Sequence, residues 1–190
     1  SKYTKTAYNK YKDYKEKMEK AINSYNERLS EIRAGRANPA ILNKVKIDYY
    51  GTQTPINQVA AVSVPEARLI VIQPWDASVL KEIEKAILAS DIGINPNNDG
   101  KVIRLTFPEL TEERRKEIVK DVKKMAEEAK VAVRNVRREG IDKAKADQKA
   151  GDMTEDELKG AENEIQKLTD KYVEEIDKIA ETKEKEVMSV

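Results

Sequence analysis

The amino-acid sequence predicts an α+β protein: an elongated, antiparallel three-helix bundle with a small β/α/β domain inserted into it, the two forming an L. Three long stretches carry apolar residues spaced alternately three and four apart, the period of a helix with one buried seam. Between the first and second stretch lie about seventy-five residues in which apolar positions alternate, the period of a strand. Composition agrees: 37% of the 190 residues are charged and only 5% aromatic, which suits long, thin, solvent-washed elements better than a fat core. The bundle is expected from residues 1–34 and 109–190 and the inserted domain from 35–108.

The first helical stretch, up to Gly35, places Met18, Ile22, Tyr25, Leu29 and Ile32 on a seam. Tyr11 continues it backwards, with polar Lys15 at the position between. Gly35 can end the helix, and Pro39 opposes its continuation. The second stretch opens after Pro108 with Thr111 as N-cap and Glu112 and Glu113 in the first turn. Its seam is Ile118, Val122, Met125, Ala129, Ala132 and Val136, widened by Val119, Ala126 and Val133. The alanines let neighbouring helices approach, and Gly151 ends the run. The third stretch begins with the capping box Thr154-Glu155-Asp156-Glu157 and continues through Leu158, Ala161, Ile165, Leu168, Tyr172, Ile176 and Ile179. A short link makes the second and third helices antiparallel.

In the insert, Val45, Ile47 and Tyr49 point inward before a turn at Gly51. Residues 59–64 and 69–72 read as strands. Asp76 caps a helix over 78–90, and a turn at 97–100 leads into a last strand over 102–107. Trp75 is expected at the edge of the small core, with a ligand platform as the alternative. Both chain crossings fall near Gly35, Pro39 and Pro108, which makes these the candidate hinge residues.

Several functions are excluded or unsupported. The chain has no cysteine and no histidine, so disulfides, thiol nucleophiles and Cys/His zinc sites are ruled out. The carboxylate pairs Asp121 with Glu117 and Glu174 with Asp170 read as solvent-facing ion-pair partners. No phosphate-binding glycine loop occurs. No catalytic residue, metal site or cofactor is assigned. No apolar run can span a membrane, and the N-terminus shows no secretory leader pattern, so a cytoplasmic protein and a monomer are expected.

Charge is unevenly placed. Residues 1–34 carry +4, 35–109 carry eight basic and eight acidic residues, 110–151 carry +4 and 152–190 carry −7. Lys130, Arg134, Arg137 and Arg138 recur three and four apart, which puts the arginines on one side of the second helix, away from its seam. Arg115 lies nearer the start of that helix. A guanidinium fork can hold phosphate oxygens in pairs, and a rigid helix keeps several in register. No aromatic interleaves them to stack bases, so a folded-RNA backbone fits better than base reading. Arg28, Arg33 and Arg36 are weaker candidates.

These residues sit in words that identify a family. EIRAGRANP (31–39), YYG (49–51), EIEKAILASDIGINPN (82–97), LTEERRKEIVK (110–120) and AKVAVRNVRREG (129–140) occur in order. The chain closely resembles bacterial and organellar ribosome recycling factor over nearly its whole length. The third helix matches less specifically, and the Tyr- and Lys-rich first ten residues depart from the pattern. The resemblance implies a three-helix bundle hinged to a β/α/β domain. It implies a non-enzymatic factor that enters the intersubunit space of a post-termination ribosome, lies against large-subunit ribosomal RNA and separates the subunits with elongation factor G and GTP. It makes Arg134 and Arg137, with Arg138 beside them, and Arg115 the RNA-contacting residues, and Gly35, Arg36 and Pro39 the hinge motif. The rival reading is a helical adaptor acting through its rod surface.

Overall fold

A computed structural model describes residues 2–189, with side chains from residue 12 onward, so Tyr11 lies outside the described side chains. The chain divides into two compact units, Ser1–Ile32 with Glu112–Val190, and Arg33–Thr111.

The first unit is three packed helices, α1 (Lys2–Ser30), α3 (Glu112–Lys149) and α4 (Glu155–Met188). Cross-helix partners fix their directions. Lys17 meets Glu139 and Arg28 meets Glu128, each at 2.6 Å, so α1 runs antiparallel to α3. Lys130 pairs with Asp177 and Arg137 bonds Gln166, so α3 runs antiparallel to α4. In α1, Met18, Ile22, Tyr25 and Leu29 are buried as the spacing predicts. Tyr14, not Lys15, fills the next seam position, and Ile32 lies beyond the helix end at Ser30.

The seam of α3 is rotated from the expected one. Its buried residues include Ile118, Val122, Ala126, Ala129, Val133, Gly140 and Ala144, while Met125, Ala132 and Val136 are half-buried. The cause is that α3 packs on two helices, so its buried face centres between the two contact lines. Gly140 lies where all three helices crowd together: a Cβ there would stand 3.0 Å from Ile165 of α4 and 3.1 Å from the Tyr14 ring of α1. After Lys149 the chain closes a Schellman turn, with Gly151 at φ +81° and the Asp152 N–H donating to the Asp147 carbonyl at 2.9 Å. The predicted capping box then opens α4: Thr154 Oγ1 accepts the Glu157 N–H at 3.1 Å and Glu157 accepts the Thr154 N–H.

The second unit holds a hairpin, β1 (Lys46–Tyr49) with β2 (Thr52–Pro55), and an antiparallel sheet of β3 (Ala60–Glu66), β4 (Leu69–Pro74), β5 (Asn97–Asn98) and β6 (Ile103–Thr106) in the order β3-β4-β6-β5. The helix α2 (Leu80–Ala89) packs against β1. Asp76 accepts the Ser78 N–H at 2.9 Å, as a cap should, but the first residues form a 3-10 turn before α2 begins. The core is aliphatic, with Ile47, Ile56, Ile70, Ile72, Ile83, Ile87, Ile103, Leu105 and Phe107 all buried. Two strands lack the expected signal. β2 is polar and ends in proline, and β5 is two asparagines, so only their partners reveal them. Trp75 is corrected: it stands 69% exposed instead of sealing the core edge.

The candidate hinge residues all lie within the second unit. Gly35 adopts φ +76°, and a Cβ there would come within 2.9 Å of Leu110, so this turn admits glycine on two counts. Pro39 opens a 3-10 turn capped by Asn38, whose side chain accepts the Ala40 N–H. Arg36 is bonded within the structure, and Pro108 is exposed after β6.

Candidate nucleic-acid interface

The outer face of α3 carries the site. At 100° per residue, Lys116, Lys120, Lys123, Arg134, Arg138, Lys145 and Lys149 fall within an arc of about 80°, and all seven are exposed. Lys116 has Glu112 at 3.6 Å. Among the described residues the other six have no ion-pair partner. Sequence reasoning stopped at the arginines and Lys130 and missed these five lysines, although Lys116, Lys120 and Lys123, and Lys145 and Lys149, are themselves three or four apart.

The predicted residues separate into two groups. Arg134 and Arg138 stand together on the open face. Arg137 is half-buried at the edge and donates to Gln166 Oε1 at 3.4 Å, while Gln166 bonds Asp170. Lys130 is placed differently from the expectation. Its side chain is 14% exposed and its ammonium is held by Asp177 of α4 and by Glu127 at 3.2 Å. Hydrogen bonding to Asp177, then to Glu127, raises its pKa against the opposing effect of burial. Lys130 thereby neutralises Glu127, the one acid in the middle of the cationic face.

Arg115 is also committed elsewhere. It is half-buried and donates to the carbonyls of Val187 at 3.0 Å and Ser189 at 2.6 Å, closing the C-terminus of α4. Those carbonyls have no partner within the helix, so a guanidinium satisfies them. Neither Lys130 nor Arg115 shares the open face of Arg134 and Arg138. Arg28 is a brace between α1 and α3 through Glu128, and that contact holds the Glu128 carboxyl below its usual pKa.

Among the described residues, no group of three or more candidate ligands could hold a metal ion, and no helix is long and apolar enough to cross a membrane. The fold and this face define a helical-bundle protein with a cationic, non-stacking helix surface and an inserted β/α domain.

A family model described as ribosome recycling factor matches residues 25–188. The ribosome-recycling factor of Caldicellulosiruptor bescii is 66% identical over 92% of this chain and 95% of its own length. That of Acetivibrio thermocellus is 63% identical over 95% of this chain and 98% of its own. A solution structure of the ribosome recycling factor is 44% identical and superposes with a TM-score of 0.79 over 97% of this chain and 98% of that one. Coordinates for the T. thermophilus ribosome recycling factor, from a study that also places E. coli elongation factor G on the E. coli post-termination complex, are 45% identical with a TM-score of 0.63, over 96% and 99% of the two chains. The chain belongs to the ribosome recycling factor family, whose members are ribosome-binding factors and not catalysts.

Proposed function

We infer that this member of the family, which acts with elongation factor G on the post-termination ribosome, does so as a mechanical strut. The observation that carries this reading is the line of unpaired cations on α3. A phosphate backbone rewards such a line through counterion release, and rigid spacing fixes the register of docking. Large-subunit ribosomal RNA, reached from the intersubunit space, supplies that backbone. The half-buried Arg137 sits at the edge of the contact, while Lys130 and Arg115 hold the bundle that presents it.

In this reading the second unit is displaced by elongation factor G as GTP is hydrolysed. Gly35, Arg36, Pro39 and Pro108 mark the region where the chain accommodates the movement. GTP chemistry stays with the partner. The factor works as a monomer in the cytoplasm, where the ribosomes are.

Arg134→Glu is the direct test. Ribosome affinity is measured across a salt series, with circular dichroism to check helicity. Weaker binding and a shallower salt slope at unchanged helicity are expected. Unchanged affinity and slope would reject the phosphate contact. For the hinge, a disulfide engineered between the two crossings of the cysteine-free chain should leave ribosome binding intact and impair splitting under oxidising conditions. Normal splitting would reject the motion.

A further inference from the structure

The β1–β2 turn breaks a local rule. A two-residue hairpin loop with positive φ at both central positions is ordinarily Asn-Gly or a close equivalent. Here the pair is Tyr50 at φ +51° and Gly51 at φ +82°. Among the described residues Tyr50 is the only non-glycine with positive φ. Left-handed backbone strains an aromatic residue and offers nothing in return. The side chain is also 83% exposed, more than any other large apolar side chain described. Neither turn chemistry nor core packing accounts for a tyrosine at this position, and an unexplained strained residue points to function.

The turn also holds the ring ready. Asp48 Oδ1 accepts the Gly51 N–H at 2.8 Å and closes the loop. Tyr49 packs against the core of the unit, and the Tyr50 ring meets it edge-to-face with centroids 4.6 Å apart and planes at 72°. One ring is anchored, and it orients a second that stands in solvent. An exposed aromatic that is already ordered loses little entropy on burial, which is the property of side chains that dominate protein interfaces.

The surroundings choose between protein and RNA. Aromatics that stack on bases work among cations. Within three residues of Tyr50 the one charged side chain is Asp48, and the cross-strand neighbours are Thr52 and Gln53. Residues 35–109 carry eight basic and eight acidic residues, with no field like that of α3. The cations that suit the ribosome lie on the bundle, which leaves this neutral tip to a protein partner.

We propose that Tyr50 is an aromatic anchor that elongation factor G buries in an apolar pocket, and that this contact determines how well factor and motor are matched. The proposal rests on the reading above, in which the chain works with that GTPase, and it names the contact within it. Tyr50→Asn removes the ring and suits the backbone, so it separates recognition from folding. It should melt at the same temperature as the parent or higher, bind ribosomes equally well without elongation factor G, and need about tenfold more of it for half-maximal splitting. Tyr50→Phe should behave as the parent. Tyr50→Gly, which also suits the backbone, should repeat the Asn result. With p-benzoylphenylalanine at position 50, irradiating the ribosome complex with elongation factor G and a non-hydrolysable GTP analogue should give an adduct to elongation factor G.

The parent's demand for elongation factor G in both Tyr50→Asn and Tyr50→Gly overturns the proposal. So does weakened ribosome binding in the absence of elongation factor G, or an adduct to ribosomal RNA or a ribosomal protein. Failure of the parent protein to split ribosomes would strike the functional reading instead, so the two failures are told apart.

Discussion

The Lys130 ammonium is clamped by the Asp177 carboxylate, and this ion pair ties α3 to α4 beside the exposed Arg134. The lysine therefore acts on the cationic face from the side, by cancelling Asp177 and Glu127. Lys130→Met should cost under about 1 kcal/mol of stability, because both acids remain largely solvated. It should also weaken ribosome binding, since two free carboxylates then face the approaching phosphates. Adding Asp177→Asn should restore part of the affinity. A urea-unfolding cycle and ribosome titrations check this, and strictly additive affinities would show that no coupling exists.

Arg115 and Arg134 lie on one helix but answer to different measurements. Arg115→Met leaves the Val187 and Ser189 carbonyls without their charged donor, a loss of about 1–3 kcal/mol. Its urea midpoint should fall while the salt slope of ribosome binding holds. Arg134→Glu should do the reverse. A changed slope at unchanged stability in Arg115→Met would move Arg115 onto the RNA-facing surface.

The two glycines inside long helices should respond with opposite sign. Nothing lies within 4 Å of a Cβ built on Gly160, so Gly160→Ala should stabilise by about 0.5–1 kcal/mol. A Cβ built on Gly140 would lie 3.0 Å from Ile165 and 3.1 Å from the Tyr14 ring, and both neighbours are buried. Overpacking of about 1–3 kcal/mol outweighs the gain in helix propensity there. Gly140→Ala should melt lower than the parent, and a higher melting temperature would mean that the three helices part more readily than their packing indicates.

Two buried tyrosines make the bundle sensitive to alkali. Tyr25 donates to the Val122 carbonyl at 3.2 Å, and burial pushes its pKa up from 10.0 to about 12. Tyr172 donates to Glu19 at 2.8 Å and is raised as well, first by burial and then by that carboxylate. Raised pKa values mean that the folded state keeps protons the unfolded chain releases. The contribution is complete below pH 10 and is lost as pH climbs from there towards the folded value of about 12. Urea midpoints should therefore decline across that window, and Tyr25→Phe should decline less steeply. An equally steep decline would exclude Tyr25 as a source.

Much of the fold was legible in the chain because local signals agreed with global ones. The capping box at Thr154, the stop at Gly151 and the Met18–Ile22–Tyr25–Leu29 seam each arise from chemistry within one or two helical turns. β2 and β5 were not legible, because a polar strand owes its existence to the partner's hydrogen bonds. The site was half legible. Spacing placed Arg134 and Arg138 on one face, and projecting the whole helix at 100° per residue adds the lysines to it. The roles of Lys130 and Arg115 were hidden, because their partners lie forty-seven and more than seventy residues away on α4.

The sequence by itself determined the three long helices, the start of α4 and the stop at Gly151, most of the strands, and that one helix carries a cationic side. Periodicity and capping operate within a few residues, so they survive without knowledge of the fold. Only the tertiary structure decided which cations remain available. A positive charge is free or consumed according to what packs beside it, and α4 packs an acid against Lys130 and its terminal carbonyls against Arg115, two of the five candidate RNA-contacting residues.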